Sequence, residues 1–302
     1  KAKAAGEKFG APWYTDVDEM LDHEKIDLVD IVTQMHSHRH LAAITSARKI
    51  ATIVQKPLAQ CLDECVEIVE NSEQNNVWLA VHENFRFSTV MRRIKSEIET
   101  GAIGTPSWAR LTFRTGYDVY AGQPYLKNEN RFAILDSGVH ILDLARFFLG
   151  EVDRISCETQ KRNPTVKGED TATMLLRHVS GAVSVVETTY ESRRLPDSFP
   201  STLLEIEGNE GSIILGHDNQ MTITSNGIGR TEIVGSPLLS WTSQPWHGSQ
   251  ESVLHTNAHF LESFQKNKNP ETSGRDNLKT FALVEAAYLS AETHTSVRPK
   301  FS

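Results

Sequence analysis

Asp136 and His140 stand four residues apart in the run Asp136-Ser137-Gly138-Val139-His140-Ile141-Leu142-Asp143. On a helix that spacing places them on one face, about a turn apart. An imidazole is the commonest general base for an alcohol proton, and a neighbouring carboxylate can orient the ring or hold a substrate. The same residues also read as an N-cap, Asp136, ahead of a buried polar residue, His140, on an apolar helix. The flanking Ile134, Leu135, Val139, Ile141 and Leu142 imply deep packing. An Asp and a His in such surroundings need polar partners.

Two further segments each follow a strand-like run. Val54-Gln55-Lys56-Pro57-Leu58-Ala59 puts a lysine at the end of a β-branched stretch, the edge at which open parallel sheets bind ligands. Pro57 has a fixed φ and holds Lys56 at a defined angle. The ammonium can hydrogen-bond a substrate hydroxyl and favour a developing alkoxide, or it is an exposed loop lysine. In His82-Glu83-Asn84-Phe85-Arg86-Phe87, Asn84 and Arg86 could hydrogen-bond a polyhydroxy substrate or its carboxylate. Arg86 could equally pair with an acidic neighbour at a domain junction.

Weaker patterns are set aside. His36, His38 and His40 alternate without a carboxylate or cysteine at matching spacing, so no metal site is expected. Cys61 and Cys65 have no second pair and read as packing residues. Gly227-Ile228-Gly229 lies between strands, with Glu232 where a third glycine would belong, and is no nucleotide fingerprint.

The elements that must position these residues come in two styles. Leu28–Val32, Thr52–Val54 and Val77–Val81 are strand-like and alternate with helical segments at His40–Lys49 and Cys61–Asn75. That order predicts a parallel sheet with covering helices. After Asn84 the pattern changes. Val90, Ile94 and Ile98 mark a helix that stops at Gly101, Ser107–Arg114 reads as a strand, and Thr115–Phe132 as a loop. A helix over Ser137–Leu149 comes next, then short strands to Ile233 joined by hairpin turns at Ser180-Gly181 and Gly208–Gly211. Helices over Ser252–Gln265 and Asp276–Thr293 close the pattern. The fold expected from this pattern is α/β: a parallel-sheet domain over 1–84, then an α+β domain over 85–302 built on an antiparallel sheet.

Composition narrows the function classes. Hydrophobic residues make 39% and charged residues 23% of 302 residues, ample for a folded core. With 31 Lys+Arg against 39 Asp+Glu the net charge is −8, which gives no electrostatic support to a nucleic-acid or anionic-membrane partner. Three cysteines point to a reducing, cytoplasmic setting. No run approaches the roughly 20 apolar residues of a bilayer span. The opening Lys1-Ala2-Lys3 has no apolar stretch after it and is not a signal peptide.

Taken together and in order, the motifs resemble the glucose–fructose oxidoreductase, inositol dehydrogenase and rhizopine-catabolism family (Gfo/Idh/MocA). Thr33-Gln34-Met35-His36-Ser37-His38 resembles its Thr-Pro-x-x-x-His turn, Gln55-Lys56-Pro57 its Glu-Lys-Pro, and Asn84-Phe85-Arg86-Phe87 its Asn-x-Arg-Phe. Gly101-Ala102-Ile103-Gly104, Asp136-x-x-x-His140-x-x-Asp143 and Gly208-Asn209-Glu210-Gly211 are similar to further family segments. The resemblance implies an oxidoreductase that transfers hydride between NAD or NADP and a sugar or polyol hydroxyl. His140 would take the hydroxyl proton, Lys56 would hydrogen-bond the reacting oxygen, and Asp136 would position substrate. Thr33, Gln34, His38, Gln55, Lys56 and Pro57 would lie along the cofactor, and Asn84 and Arg86 beside the substrate. It also implies a homodimer or homotetramer joined through the open sheet.

Two substitutions depart from the family pattern: Gln55 replaces Glu, and Gln34 replaces Pro. Gln-Lys-Pro combined with His-Glu-Asn-Phe-Arg is similar to a branch acting on D-apiose, which implies a pentose-type aldose oxidised at its anomeric carbon. The resemblance implies a Rossmann domain over 1–84 and a large, mainly antiparallel open sheet within 85–302. The family's opening strand and Gly-x-Gly-x-x-Gly turn have no counterpart here, so the Rossmann domain is expected to be N-terminally incomplete. The expectation is therefore a fragment of a longer enzyme, the alternative being a cofactor-deficient relative that serves as a binding or assembly subunit.

Overall fold

The computed structural model describes Lys1–Lys300. The chain divides into two compact units, Lys1–His82 with Ser263–Asn277, and Glu83–Glu262 with Leu278 onward.

The first unit opens with α1 (Ala2–Phe9) and α2 (Val17–His23), the latter capped by Asp16, whose carboxylate accepts the Glu19 N–H at 2.9 Å. It continues as β1 (Leu28–Ile31), α3 (His38–Ala47), β2 (Ala51–Gln55), α4 (Leu62–Gln74) and β3 (Leu79–His82). The strands form a parallel sheet in the order β1-β2-β3, with Leu28 beside Ala51 and Thr52 beside Leu79. Parallel strands need crossover connections, and α3 and α4 supply them. The runs at β2 and β3 are mostly apolar, and all of their residues but Gln55 are buried, as befits strands covered on both faces. The sheet's carboxyl edge therefore carries Val32-Thr33-Gln34, Lys56-Pro57 and the residues after His82.

The second unit contains α5 (Thr89–Glu99), β4 (Pro106–Arg114), α6 (Val119–Gly122), α7 (Val139–Leu149) and the strands β5 (Val152–Gln160), β6 (Thr171–His178), β7 (Val183–Thr189), β8 (Leu203–Gly208), β9 (Gly211–Leu215), β10 (Gln220–Ser225) and β11 (Ile228–Ile233). Two long helices follow, α8 (His247–Gln265) and α9 (Gly274–Thr293). Eight strands make one sheet, ordered β11-β10-β9-β8-β4-β7-β6-β5. It is antiparallel except where β4 runs parallel to β7, Trp108 beside Val183. The expected α/β and mainly antiparallel architecture is what the chain adopts. The strand expected at Ser107–Arg114 is β4, and it lies inside the sheet, flanked by β7 and β8, both far away in sequence.

Helix α7 is buried on every side, from Val139 through Arg146. At roughly 1.5–3 kcal/mol for each fully buried large aliphatic side chain, Ile141, Leu142 and Leu144 anchor it firmly against the sheet. Its start departs from expectation. Ile134–Gly138 forms a π-helical turn before α7, so Asp136 is no N-cap. Gly138 lets this turn approach β7, since a Cβ there would lie 3.2 Å from the Ala133 carbonyl oxygen and 3.4 Å from the Thr188 methyl. The segment read as a loop, Thr115–Phe132, holds α6 and a 3₁₀ turn at Pro124–Asn128.

Candidate active site

In the first unit, the loops at the carboxyl edge are tied together by His38. It is 1% exposed, and its Nε2 lies 3.0 Å from the Thr33 carbonyl oxygen. Its Nδ1 lies 3.2 Å from the carbonyl oxygens of both Pro57 and Leu58. His38 thus braces the β1 and β2 exits against each other and presents no ring nitrogen at the surface. The Thr33 and Ser37 hydroxyls are 2.6 Å apart, and Ser37 donates to the Gln34 carbonyl at 2.9 Å. Gln55 turns its amide oxygen back to accept the Lys56 backbone N–H at 2.9 Å. Lys56 and Pro57 are half-buried, while Val32, Thr33 and Gln34 are exposed.

In the second unit, Asp136 and His140 each have a partner that the sequence did not reveal. Asp136 Oδ2 accepts the Tyr190 hydroxyl at 2.9 Å. Burial and the adjacent Asp136 carboxylate push the Tyr190 phenol well above its ordinary range, so it stays a donor. His140 is 5% exposed; its Nδ1 sits 2.6 Å from Glu83 Oε1, and Phe85 stacks on its ring at 3.9 Å between centroids, 4° from parallel.

The turn carrying Asp136 is held by Glu169, whose carboxylate accepts the backbone N–H groups of Phe132 and Ile134 and the Tyr288 hydroxyl. Burial drives the Glu169 carboxyl upward, against these hydrogen bonds. Neither Tyr190 nor Glu169 sits in a motif. Glu83 lies inside one, between His82 and Asn84, with no spacing that singles it out.

Arg86 takes the alternative that the sequence left open. Its guanidinium forms a two-point pair with Asp143, Nε donating to Oδ2 at 2.7 Å and Nη2 to Oδ1. Arg86 is 6% exposed and Asp143 wholly buried, and Thr280 donates to the same carboxylate. This corrects the expectation that Arg86 holds a substrate: a guanidinium engaged on two points inside the unit is structural. Asn84 donates to Ser252 Oγ at 2.6 Å and lines an open cavity of about 80 Å³. Phe85, Ser201, Thr202, Asn219, His247 and Ser249 also line it, and no Asp, Glu, Lys or Arg is among its lining residues. Phe85 therefore serves two surfaces, the cavity wall and the stack on His140.

Residues 1–83 match the oxidoreductase family model with an NAD-binding Rossmann fold, and 91–214 match the GFO/IDH/MocA C-terminal domain. The chain belongs to the GFO/IDH/MocA oxidoreductase family. It is an NAD-binding oxidoreductase. It is 43% identical over 301 residues to a D-apiose dehydrogenase of Paraburkholderia graminis, covering 99% of this chain and 80% of that protein. A D-apiose dehydrogenase of Rhizobium rhizogenes is 44% identical over 299 residues, covering 98% and 86%. Among solved structures, an oxidoreductase from Agrobacterium radiobacter in complex with NAD+, L-tartaric acid and magnesium superposes with a TM-score of 0.96. It is 42% identical, and the match covers 98% of this chain and 87% of that one.

The strand exits of the first unit carry groups that could hold such a cofactor. Val32, 65% exposed directly beyond β1, offers an apolar platform, and Thr33, Gln34 and Lys56 supply polar groups at the adjoining strand exits. Among the described residues no group of three His, Cys, Asp or Glu is placed to hold a metal. None of the described helices is long and apolar enough to cross a membrane.

Proposed function

We propose that this chain oxidises the anomeric hydroxyl of a neutral pentose-type aldose such as D-apiose, using NAD rather than NADP. The observation that carries the reading is His140 held by Glu83 and Phe85 four residues after an Asp136 fixed by Tyr190. A general base needs one ring nitrogen engaged and its plane fixed, and both conditions are met. NAD, when bound, supplies the hydride acceptor. His140 takes the hydroxyl proton as hydride leaves the same carbon, so the aldose loses two hydrogens and becomes a lactone. Lys56 hydrogen-bonds the reacting oxygen, and Asp136, steadied by Tyr190, positions the sugar. Thr33, Gln34 and the Gln55-Lys56-Pro57 turn flank the cofactor, and His38 acts by bracing those turns.

The choice of aldose rests on the two D-apiose dehydrogenases at 43% and 44% identity and on the uncharged cavity beside Asn84 and Phe85. Hydroxyl and amide groups match a sugar's own hydroxyls, whereas a phosphate would need a cation. In this reading the first unit serves the cofactor and the second the substrate. The second also supplies subunit contacts, through an outer sheet face with exposed Leu175 and Ile214, as a homodimer or homotetramer.

Mixing the protein with NAD+ and D-apiose and following NADH absorbance tests this. Turnover is expected, with His140→Ala lowering it by about 10²-fold or more. Full activity in that variant overturns the assignment.

A further inference from the structure

We propose that Glu83 is the positioning residue that decides which nitrogen of His140 moves the proton. The inference rests on the reading of His140 as the base and adds a residue to it. Glu83 is the first residue beyond β3 and has no exposed surface. Its Oε1 accepts the Phe85 backbone N–H at 3.1 Å and lies 2.6 Å from His140 Nδ1. An ionised carboxylate only accepts, so Nδ1 carries the hydrogen, and in the neutral ring the lone pair lies on Nε2. The Phe85 N–H pins the carboxylate oxygen, while the Phe85 ring, 4° from parallel, fixes the imidazole plane. Nε2 is then the atom that takes the hydroxyl proton. The imidazolium so formed carries its charge beside a buried anion, the part played by the third member of a catalytic triad.

The arrangement has an economical source in the sequence. One short segment, Glu83-Asn84-Phe85-Arg86, supplies the carboxylate for His140, an amide at the cavity, the stacking ring, and the guanidinium that pairs with Asp143. His140 and Asp143 lie three apart on α7, so the segment grips that helix at two successive positions and sets the rotation of the imidazole about the helix axis.

The test is made on the full chain labelled with ¹⁵N-histidine. Two-bond ¹H–¹⁵N correlation spectra read the His140 tautomer, the signal being assigned by its loss in His140→Asn. The Nδ1–H form is expected in the parent protein. In Glu83→Gln the amide oxygen still accepts from Nδ1–H, so the tautomer stays, while kcat falls about ten- to a hundredfold with the charge gone. In Glu83→Ala the Nε2–H form gains population and kcat falls further, to about 10²–10⁴-fold below the parent. KM for the aldose changes less than about threefold in both, because the residue acts through His140. A merely structural role predicts loss of stability with the tautomer unchanged. An Nε2–H ring in the parent protein overturns the proposal. So does undiminished kcat in Glu83→Gln, the variant that keeps the side-chain volume where alanine fails to fold. If His140→Ala is inactive while Glu83→Gln is fully active, the positioning proposal alone falls. If His140→Ala is itself fully active, the functional reading falls with it.

Discussion

The Tyr190 hydroxyl points its hydrogen at Asp136 Oδ2 from 2.9 Å, joining the last turn before α7 to the residue that follows β7. Burial and the facing carboxylate both raise the phenol's pKa, so this donor persists at any working pH. Hydrogen bonds to charged groups are worth about 1.5–3 kcal/mol. Tyr190→Phe is therefore expected to lower kcat/KM for the aldose about tenfold or more, with the larger part in KM if Asp136 holds substrate. Steady-state kinetics at saturating NAD+ check this. Unchanged kinetics would remove Asp136 from the substrate contacts.

The Arg86–Asp143 pair predicts a stability effect. Removing one partner of a buried ion pair costs about 3–5 kcal/mol, because the remaining charge is stranded. Arg86→Ala should lower the urea midpoint strongly, with Asp143 wholly buried opposite it. The double variant Arg86→Met with Asp143→Leu should recover most of the loss. A substrate-binding Arg86 would instead show a raised KM with the urea midpoint of the parent.

Lys56 leaves β2 at the carboxyl edge with its backbone N–H tied to Gln55. Lys56→Met keeps the length of the side chain and removes its charge. If the ammonium stabilises the developing alkoxide, kcat/KM falls by about 10²–10³. NADH binding, read by cofactor fluorescence, should change little. Retention of most of the activity would leave Lys56 a loop residue with no part in the chemistry.

The cavity beside Asn84 makes a prediction about substrate charge. Its lining offers amide and hydroxyl groups and no Lys or Arg. Burying a phosphate there carries a desolvation penalty without a compensating ion pair. The 5-phosphate of an accepted aldose should show a kcat/KM at least about tenfold below that of the free sugar. Equal efficiency for the two would place the sugar elsewhere.

Much of this arrangement was legible in the sequence, for physical reasons that also explain the gaps. Strands β2 and β3 announce themselves because a strand buried on both faces is rich in apolar and β-branched residues, as Thr52-Ile53-Val54 and Leu79-Ala80-Val81 are. Helix α7 was visible too, but its π-helical start was not. Ile134, Leu135, Val139 and Ile141 are apolar all round, which erases the helical period that would have marked the change of turn. The group that holds this start, Glu169, comes 35 residues later than Ile134. Arg86 could be seen as a cation needing a partner, yet nothing local names Asp143, 57 residues away. Glu83 was hidden differently. An acidic residue beside Asn and Arg carries no local mark of burial, and only the fold shows it fully buried against an imidazole. Spacing finds residues that share an element, and it is silent about those that meet only through packing.

His178 supplies the pH dependence of stability. It ends β6, is 1% exposed, and lies with Nδ1 2.8 Å from the Gly150 carbonyl oxygen and Nε2 2.8 Å from the Ser184 hydroxyl. Burial lowers its pKa, partly offset by the Gly150 carbonyl and by Glu151. In the unfolded chain it titrates near the ordinary histidine value of about 6.5. Below that value the unfolded state binds the extra proton first, so stability falls with pH. The contribution is complete above about pH 6.5 and is lost as pH drops through the lower folded value. Glu169 works in the opposite sense. Its folded pKa is raised, so its contribution is present below the ordinary carboxylate range and is lost as pH rises through the folded value. Urea unfolding followed from pH 7.5 down to about 5 should therefore be compared between the parent and His178→Gln, since Glu169 acts equally in both. The parent is expected to lose more stability than the variant over this range, and parallel curves would mean that His178 titrates alike in the folded and unfolded chain.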